Sequence, residues 1–169
     1  MESGGRMITN PSPFNNHIEY GLRALFILHA LYPKKCDLDH ISYLDYIVVH
    51  SGDFNKGMNS LHAPTPNRKN EILIRRSLIE KGLSLFSKYC LIKPVYEIDG
   101  IYYELTDEST PFIDSLSEEY SILVGIRANW VAENYKRFTV SDLKEHIVNS
   151  WESNSDEIAF HIDYQEEIL

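Results

Sequence analysis

Cysteine is scarce. Cys36 and Cys90 are the only two in 169 residues, and their spacing fits neither a disulfide framework nor a zinc site. A reducing cytoplasm is the expected setting. Long apolar runs are also missing. The longest, around Ala24–Leu31, is broken by His29 and falls short of the roughly 18–20 residues that span a bilayer. The first residues lack the charged-then-apolar order of a signal peptide. Catalytic signatures are missing too: there is no glycine-rich phosphate loop, no His-Glu-x-x-His, no Gly-x-Ser-x-Gly and no Cys-x-x-Cys. The seven histidines sit in separate contexts. Glu118-Glu119 and Glu166-Glu167 are sequence neighbours, which on a helix point to different sides. The expectation is a non-enzyme with no cofactor and no metal.

What is present is an ordinary globular composition, 43% hydrophobic and 24% charged, enough for one domain with a genuine core. Eleven of the aromatic residues are tyrosines. Tyrosine suits half-buried helix and strand faces, and also surfaces covered by partners. Charge is unevenly spread behind a net of −9. Residues 1–55 carry a net of −2, residues 56–93 carry +6 and residues 94–169 carry −13. A chain with so acidic a C-terminal half is a poor candidate for holding DNA by itself, because phosphate neutralisation dominates that affinity.

Along the chain, residues 1–15 are rich in Gly, Ser and Pro and read as a flexible leader, with Pro13-Phe14 able to tuck onto the core. From Asn16 the apolar residues Ile18, Leu22, Leu25, Phe26, Leu28 and Leu31 recur at helical steps until Tyr32-Pro33. Lys34-Lys35-Cys36 reads as a turn. Asp37 caps a second helix with the core stripe Leu38, Ile41, Leu44, Ile47 and Val48, ended by a left-handed Gly52. Asp37, Asp39 and Asp45 do not converge on one helical face and read as solvated. Residues 54–69, with Gly57, Pro64 and Pro66, are irregular, and a loop of that length is usually functional or mobile.

A long helix over about Asn70–Tyr89 follows. Ile72, Ile79, Leu83, Phe86 and Cys90 form its main apolar line, and Leu73, Ile74, Leu78, Leu85 and Tyr89 widen it. That breadth leaves little room for a dedicated recognition face. Gly82 inside it marks either close packing or a kink. Ile92–Tyr96 and Ile101–Leu105 read as a hairpin turning at Asp99-Gly100, with Pro94 confined to an edge strand. Glu97 and Asp99 at its tip would repel phosphate. A helix over about Pro111–Tyr135 comes next, then a capping box at Thr139–Asp142 and a short helix to about Trp151. In the acidic tail, Ile158, Phe160, Ile162 and Tyr164 alternate as in a strand, which could dock on another subunit or complete the domain's own sheet.

The expected fold is therefore α+β, mainly α: a winged helix-turn-helix-like domain over residues 16–138 with a two-stranded wing, followed by a C-terminal helix and tail over 139–169. Candidate nucleic-acid contacts are Lys56, Arg68, Lys69, Arg75, Arg76 and Lys81. Candidate partner-interface residues are Phe54, Tyr102, Trp151, Phe160 and Tyr164. A helix–wing–helix unit can read DNA, as a transcriptional regulator does, or can join protein subunits.

The stretch from Phe14 to Phe54, with Leu22–Leu31 and Leu44-Asp45-Tyr46, continues into Leu61-His62-Ala63-Pro64 and Arg75-Arg76 with Leu78 and Gly82. Over roughly Phe14 to Tyr135 this pattern resembles the middle component of bacterial three-component ABC-ATPase conflict systems. It is most similar to the small subunit of Lamassu-type anti-phage defence complexes. The resemblance implies a cytoplasmic, non-catalytic adaptor between a coiled-coil ATPase, akin to the structural-maintenance-of-chromosomes (SMC) proteins, and a nuclease-type effector. It further implies that the effector is restrained until invading DNA is sensed, and that DNA is reached through the complex.

Overall fold

Side-chain caps set several of the helix starts. A computed structural model describes the backbone of residues 16–166 and the side chains of residues 16–153; the leader expected at 1–15 lies outside the described residues. The Asn16 carboxamide accepts the Glu19 N–H at 3.1 Å and opens α1 (His17–Leu31). Asp37 accepts the His40 N–H at 2.7 Å and opens α2 (Leu38–Val49). A single further turn, α3 (Ser51–Phe54), follows directly. Gly52 sits inside that turn rather than in the left-handed position expected of it; loop residues 58–60 pass against its missing Cβ.

The third long helix, α4 (Arg68–Lys88), starts two residues earlier than the periodicity suggests, because Asn67 caps it. Its end is a left-handed closure. Cys90 has φ 58° and the Leu91 N–H donates to the Phe86 carbonyl at 3.0 Å, a geometry usually given to glycine. Cys90 is thus exposed and outside the apolar line in which it was expected.

The hairpin forms from β2 (Ile92–Glu97) and β3 (Gly100–Leu105). Glu97 pairs with Gly100, so the turn is Ile98-Asp99, one residue earlier than expected. Gly100, at φ 156°, is the first strand residue. The supposed turn before α2 contains β1 (Cys36–Asp37), which pairs antiparallel with β3. The sheet order is β1-β3-β2, and Pro94 lies on an edge strand, as its missing N–H demands.

The single helix expected over Pro111–Tyr135 is two: α5 (Ser109–Asp114) and α6 (Glu119–Tyr135). Residues 115–118 separate them, with the Ser115 hydroxyl donating to the Phe112 carbonyl at 2.7 Å. The capping box at Thr139 and Asp142 forms reciprocally, at 2.8 and 3.2 Å. The helix it opens, α7, runs over Val140–Glu166. The tail backbone is therefore helical, and the strand inferred from its alternation is withdrawn. Period-2 spacing of four residues does not outweigh propagation of a helix already nucleated and capped. The side chains of Phe160 and Tyr164 lie outside the described residues.

The outcome is an α+β architecture, mainly helical, with a small antiparallel sheet. α1 and α2 are buried on nearly every side, with α4, α6 and the start of α7 packed around them. The α1–α4 crossing is the tightest. A Cβ on Gly82 would lie 2.5 Å from both the Gly21 nitrogen and the His17 carbonyl oxygen. Gly82 therefore marks backbone-to-backbone contact, at a helix-propensity cost of about 1 kcal/mol. Gly82→Ala should destabilise the fold by about 1–3 kcal/mol through overpacking, despite the gain in propensity. Urea unfolding checks this; a raised midpoint would contradict the crossing.

Candidate functional site

Two helices buried all round still carry charge, and that charge has to be matched. Arg23 lies among the buried residues of α1 and Asp45 among those of α2. Arg23 donates to Asp45 twice, Nε to Oδ1 at 2.6 Å and Nη2 to Oδ2 at 3.3 Å, the two-point geometry that suits guanidinium to carboxylate. Arg75, from α4, donates through Nη1 to Asp45 Oδ2 at 2.5 Å and through Nη2 to Glu71 one turn earlier, also at 2.5 Å. Asp45 is fully buried and Arg75 is 1% exposed. Two guanidinium groups thus meet two carboxylates inside the domain. The Tyr20 ring lies beside both cations, 4.3 Å from Arg23 Cζ and 5.4 Å from Arg75 Cζ.

A second shell of groups leads outwards. His50 Nε2 lies 2.8 Å from Glu71 Oε1, and the Thr65 hydroxyl bonds the other Glu71 oxygen. Arg23 Nη1 donates to the Tyr120 hydroxyl at 3.1 Å, and that hydroxyl lies 3.3 Å from His62 Nε2. α1, α2, α4, α6 and the 55–67 loop therefore all reach one cluster. It floors a cleft of about 840 Å³ walled by Leu61, Ala63, Pro66, Ile74 and Leu78. The loop, expected to be functional or mobile, is tied down at several points. The Leu61 N–H donates to the Val49 carbonyl at 2.8 Å, and Arg127 Nη2 donates to the Asn59 carbonyl at 3.0 Å.

The electrostatics are those of a clamp. Burial opposes ionisation of Asp45, but Arg23 and Arg75 outweigh it and hold the carboxyl below its usual range. Glu71 behaves alike: burial pushes it up, while hydrogen bonds from His50 and Thr65 and the charges of His50 and Arg75 bring it down to about 2. Burial, then the charges of Arg23 and Arg75, lower His62 to about 4. Neither Glu71 nor His62 is poised near neutrality, where a general acid or base works best. Their arrangement ties α2, α4 and α6 together.

The six candidate nucleic-acid contacts are not brought together. Arg75 points inward and is withdrawn as a surface contact. Arg68 pairs with Asp53 at 2.5 Å and lies 3.4 Å from the Tyr46 hydroxyl. Arg76 pairs with Asp39 at 2.5 Å. Lys56, Lys69 and Lys81 are exposed. Among the candidate interface residues, Phe54 is half-buried against the Tyr46 and His146 rings. Trp151 is half-buried and donates to the Tyr46 hydroxyl at 2.9 Å. Tyr102 donates to Asp99 at 2.8 Å on the wing.

Two expectations about charge and apolarity fail together. Asp45, expected on a solvated face, is the centre of the interior; Asp39 does face solvent, and Asp37 serves as a cap. The α4 apolar surface is narrower than its sequence suggests, since Leu73, Ile74 and Tyr89 are exposed. The cluster had a signal. Arg23 and Asp45 each interrupt a helix apolar on all sides, and lone charges in two such helices are stable only if they meet.

The fold and its interior define a mainly helical α+β protein whose densest polar site is architectural. The family model for the ABC-three component (ABC-3C) system Middle Component 2 matches residues 13–157, and the chain belongs to that family. No curated protein and no solved structure matches it.

Asp45→Asn should cost about 3–5 kcal/mol by leaving two buried guanidinium groups under-compensated, read from the chemical-denaturation midpoint. A pH dependence follows as well. Folded His62 binds its proton only near pH 4, whereas an unfolded histidine does so near 6.5. The unfolded state thus holds more protons between these values, and stability falls as pH drops from about 6.5 to 4. Glu71 contributes stability that is present above its unfolded pKa and is lost as pH falls towards about 2. His62→Gln should make the first slope shallower, the remainder belonging to His40 and His146, which burial also lowers, and should leave the second, as measured by denaturation at stepped pH.

Proposed function

We propose that this chain is the non-catalytic adaptor of an anti-phage or anti-plasmid defence complex of the Lamassu type. In this reading it bridges a coiled-coil, SMC-like ABC ATPase and a nuclease-type effector in the cytoplasm, and holds the effector in check. Membership of the Middle Component 2 family supports a role alongside the other components of an ABC-3C system. The order α1-β1-α2-α4-β2-β3 supports a winged helix-turn-helix-like core over residues 16–138, with residues 139–169 as its C-terminal extension. No helix among the described residues is long and apolar enough to cross a membrane.

One observation carries the reading: the large apolar side chains left on the surface. The titratable cluster is spent inside on mutual pairing, while large apolar side chains stand outside. Leu73, Ile74, Tyr89, Tyr96, Ile98, Ile122 and Ile126 are all exposed. Such a surface suits partners better than substrate. For a DNA-binding regulator, the inward turn of Arg75 and the ion pairs of Arg68 and Arg76 remove half of the candidate cations. Any DNA contact made within the complex would draw on the exposed Lys69 and Lys81.

Co-expressed with the other two components of its system, the chain should co-purify with the ATPase in a fixed ratio. It should not shift its own promoter DNA at low salt. A chain that ignores both components at micromolar concentration yet shifts that DNA, with a steep salt dependence, would reverse the assignment.

A further inference from the structure

The cleft above the ion cluster has a floor on which charge is already matched. Arg75 is held by Asp45 and Glu71, and Glu71 is held in turn by His50 and Thr65. His62, which lines the cleft, binds its proton only near pH 4 and is uncharged at neutral pH. Such a floor offers little to an ionised ligand and suits an uncharged one. The walls are apolar at Leu61, Ala63, Pro66, Ile74 and Leu78, and Tyr20 adds an aromatic ring. The His62 ring lies near-parallel to that of Tyr120, with centroids 6.4 Å apart and planes inclined by 17°. Apolar walls with aromatic rings are how a groove captures an extended, proline-containing peptide.

The chain enters its first helix beside this cleft. The His17 carbonyl lies against Gly82 of α4. Leu78 and Ile74 stand one and two turns back along α4, about 6 and 12 Å from Gly82 on its axis. Tyr20 is one turn into α1, and helical side chains lean towards the N-terminus of their own helix. The segment leading into α1, Met7 to Asn15, contains no charged residue and carries Ile8, Pro11, Pro13 and Phe14. Proline favours extended backbone in the residue before it and reduces the entropy lost on docking. At a reach of about 3.3–3.6 Å per residue, Phe14 falls within about 7 Å of Asn16 and Pro11 within about 18 Å. Those radii span the α4 wall of the cleft from Leu78 to Ile74.

We propose that the cleft is the seat of the chain's own residues Asn10–Phe14, laid across it in extended form with the Phe14 ring as the anchor among its apolar walls. Seated there, the segment covers the ion cluster and joins the start of α1 to α4 and the 55–67 loop. The cleft then has a built-in, uncharged occupant matched to its neutral floor. This concerns the chain alone and does not depend on the adaptor reading.

Disulfide trapping in the full chain tests this. A Cys90→Gly background suits the left-handed backbone at that position and leaves only the buried Cys36. In it, Ser12→Cys paired with Ala63→Cys, an exposed wall position, should close an intramolecular disulfide. Adding Phe14→Ala should slow that closure by about ten-fold or more, because an unseated segment presents its thiol at a lower effective concentration. Circular dichroism should show the same helical content with and without Phe14→Ala. In urea unfolding, the losses from Phe14→Ala and Leu78→Ala should be non-additive, whereas those from Phe14→Ala and Tyr96→Ala on the wing should add. A trapping rate unchanged by Phe14→Ala, or additivity with Leu78→Ala, would overturn the proposal. It is overturned as well if maleimide labelling of Ala63→Cys is indifferent to Phe14→Ala and slows only when the other two components are added. That result would give the cleft to a partner and leave the adaptor reading standing.

Discussion

The fold depends on one carboxylate. Asp45 is fully enclosed and takes hydrogen bonds from Arg23 of α1 and Arg75 of α4. Burying any of these charges alone would be strongly unfavourable, so the three helices are stable together or not at all. Glu71 extends the pairing to His50 and Thr65, and Arg23 extends it to Tyr120. The hydrophobic core around the cluster supplies the greater driving force, but apolar contact alone tolerates several rotations of one helix against another. The ion cluster accepts one.

The parts of the fold that were legible in the sequence were those set by local chemistry. Asn16, Asp37 and the Thr139–Asp142 box act on their own next few residues, and Pro94 marks an edge wherever it falls in a strand. The parts that were not legible depend on distant residues. β1 is two residues long and exists because β3 lies beside it. Of the site, the charge run over residues 56–93 suggested a basic face. Charge runs, however, do not say which member points inward, and Arg75 and Arg76 are neighbours with opposite fates. The tail pattern misled for a related reason: alternation over a few residues is weak evidence beside a capped helix leading straight into it.

The relation between α4 and the wing bears on what a helix-plus-hairpin unit is for. A DNA reader needs cations on the outer stripe of its helix and at the tip of its wing. Here the cation best placed within the central helix is consumed by the interior, and its neighbour Arg76 is neutralised by Asp39. The tip carries Ile98 between Glu97 and Asp99. The wing tip that would enter a groove in a DNA reader is thus apolar and acidic, while Lys69 and Lys81 remain exposed on α4.

The glycine contact between α1 and α4 has a mechanical consequence. With the Gly21 backbone against Gly82 and Arg75 held by Asp45 two turns away, α4 is pinned at two points along its length. It can neither roll nor slide on α1 without a steric clash at one point and a stranded charge at the other. The hairpin follows α4 directly in the chain and packs beside it, so a load applied to the wing meets a stiff lever rather than a hinge. Displacement of the wing would be delivered to the body of the domain almost undiminished, as it would be in a coupling rod.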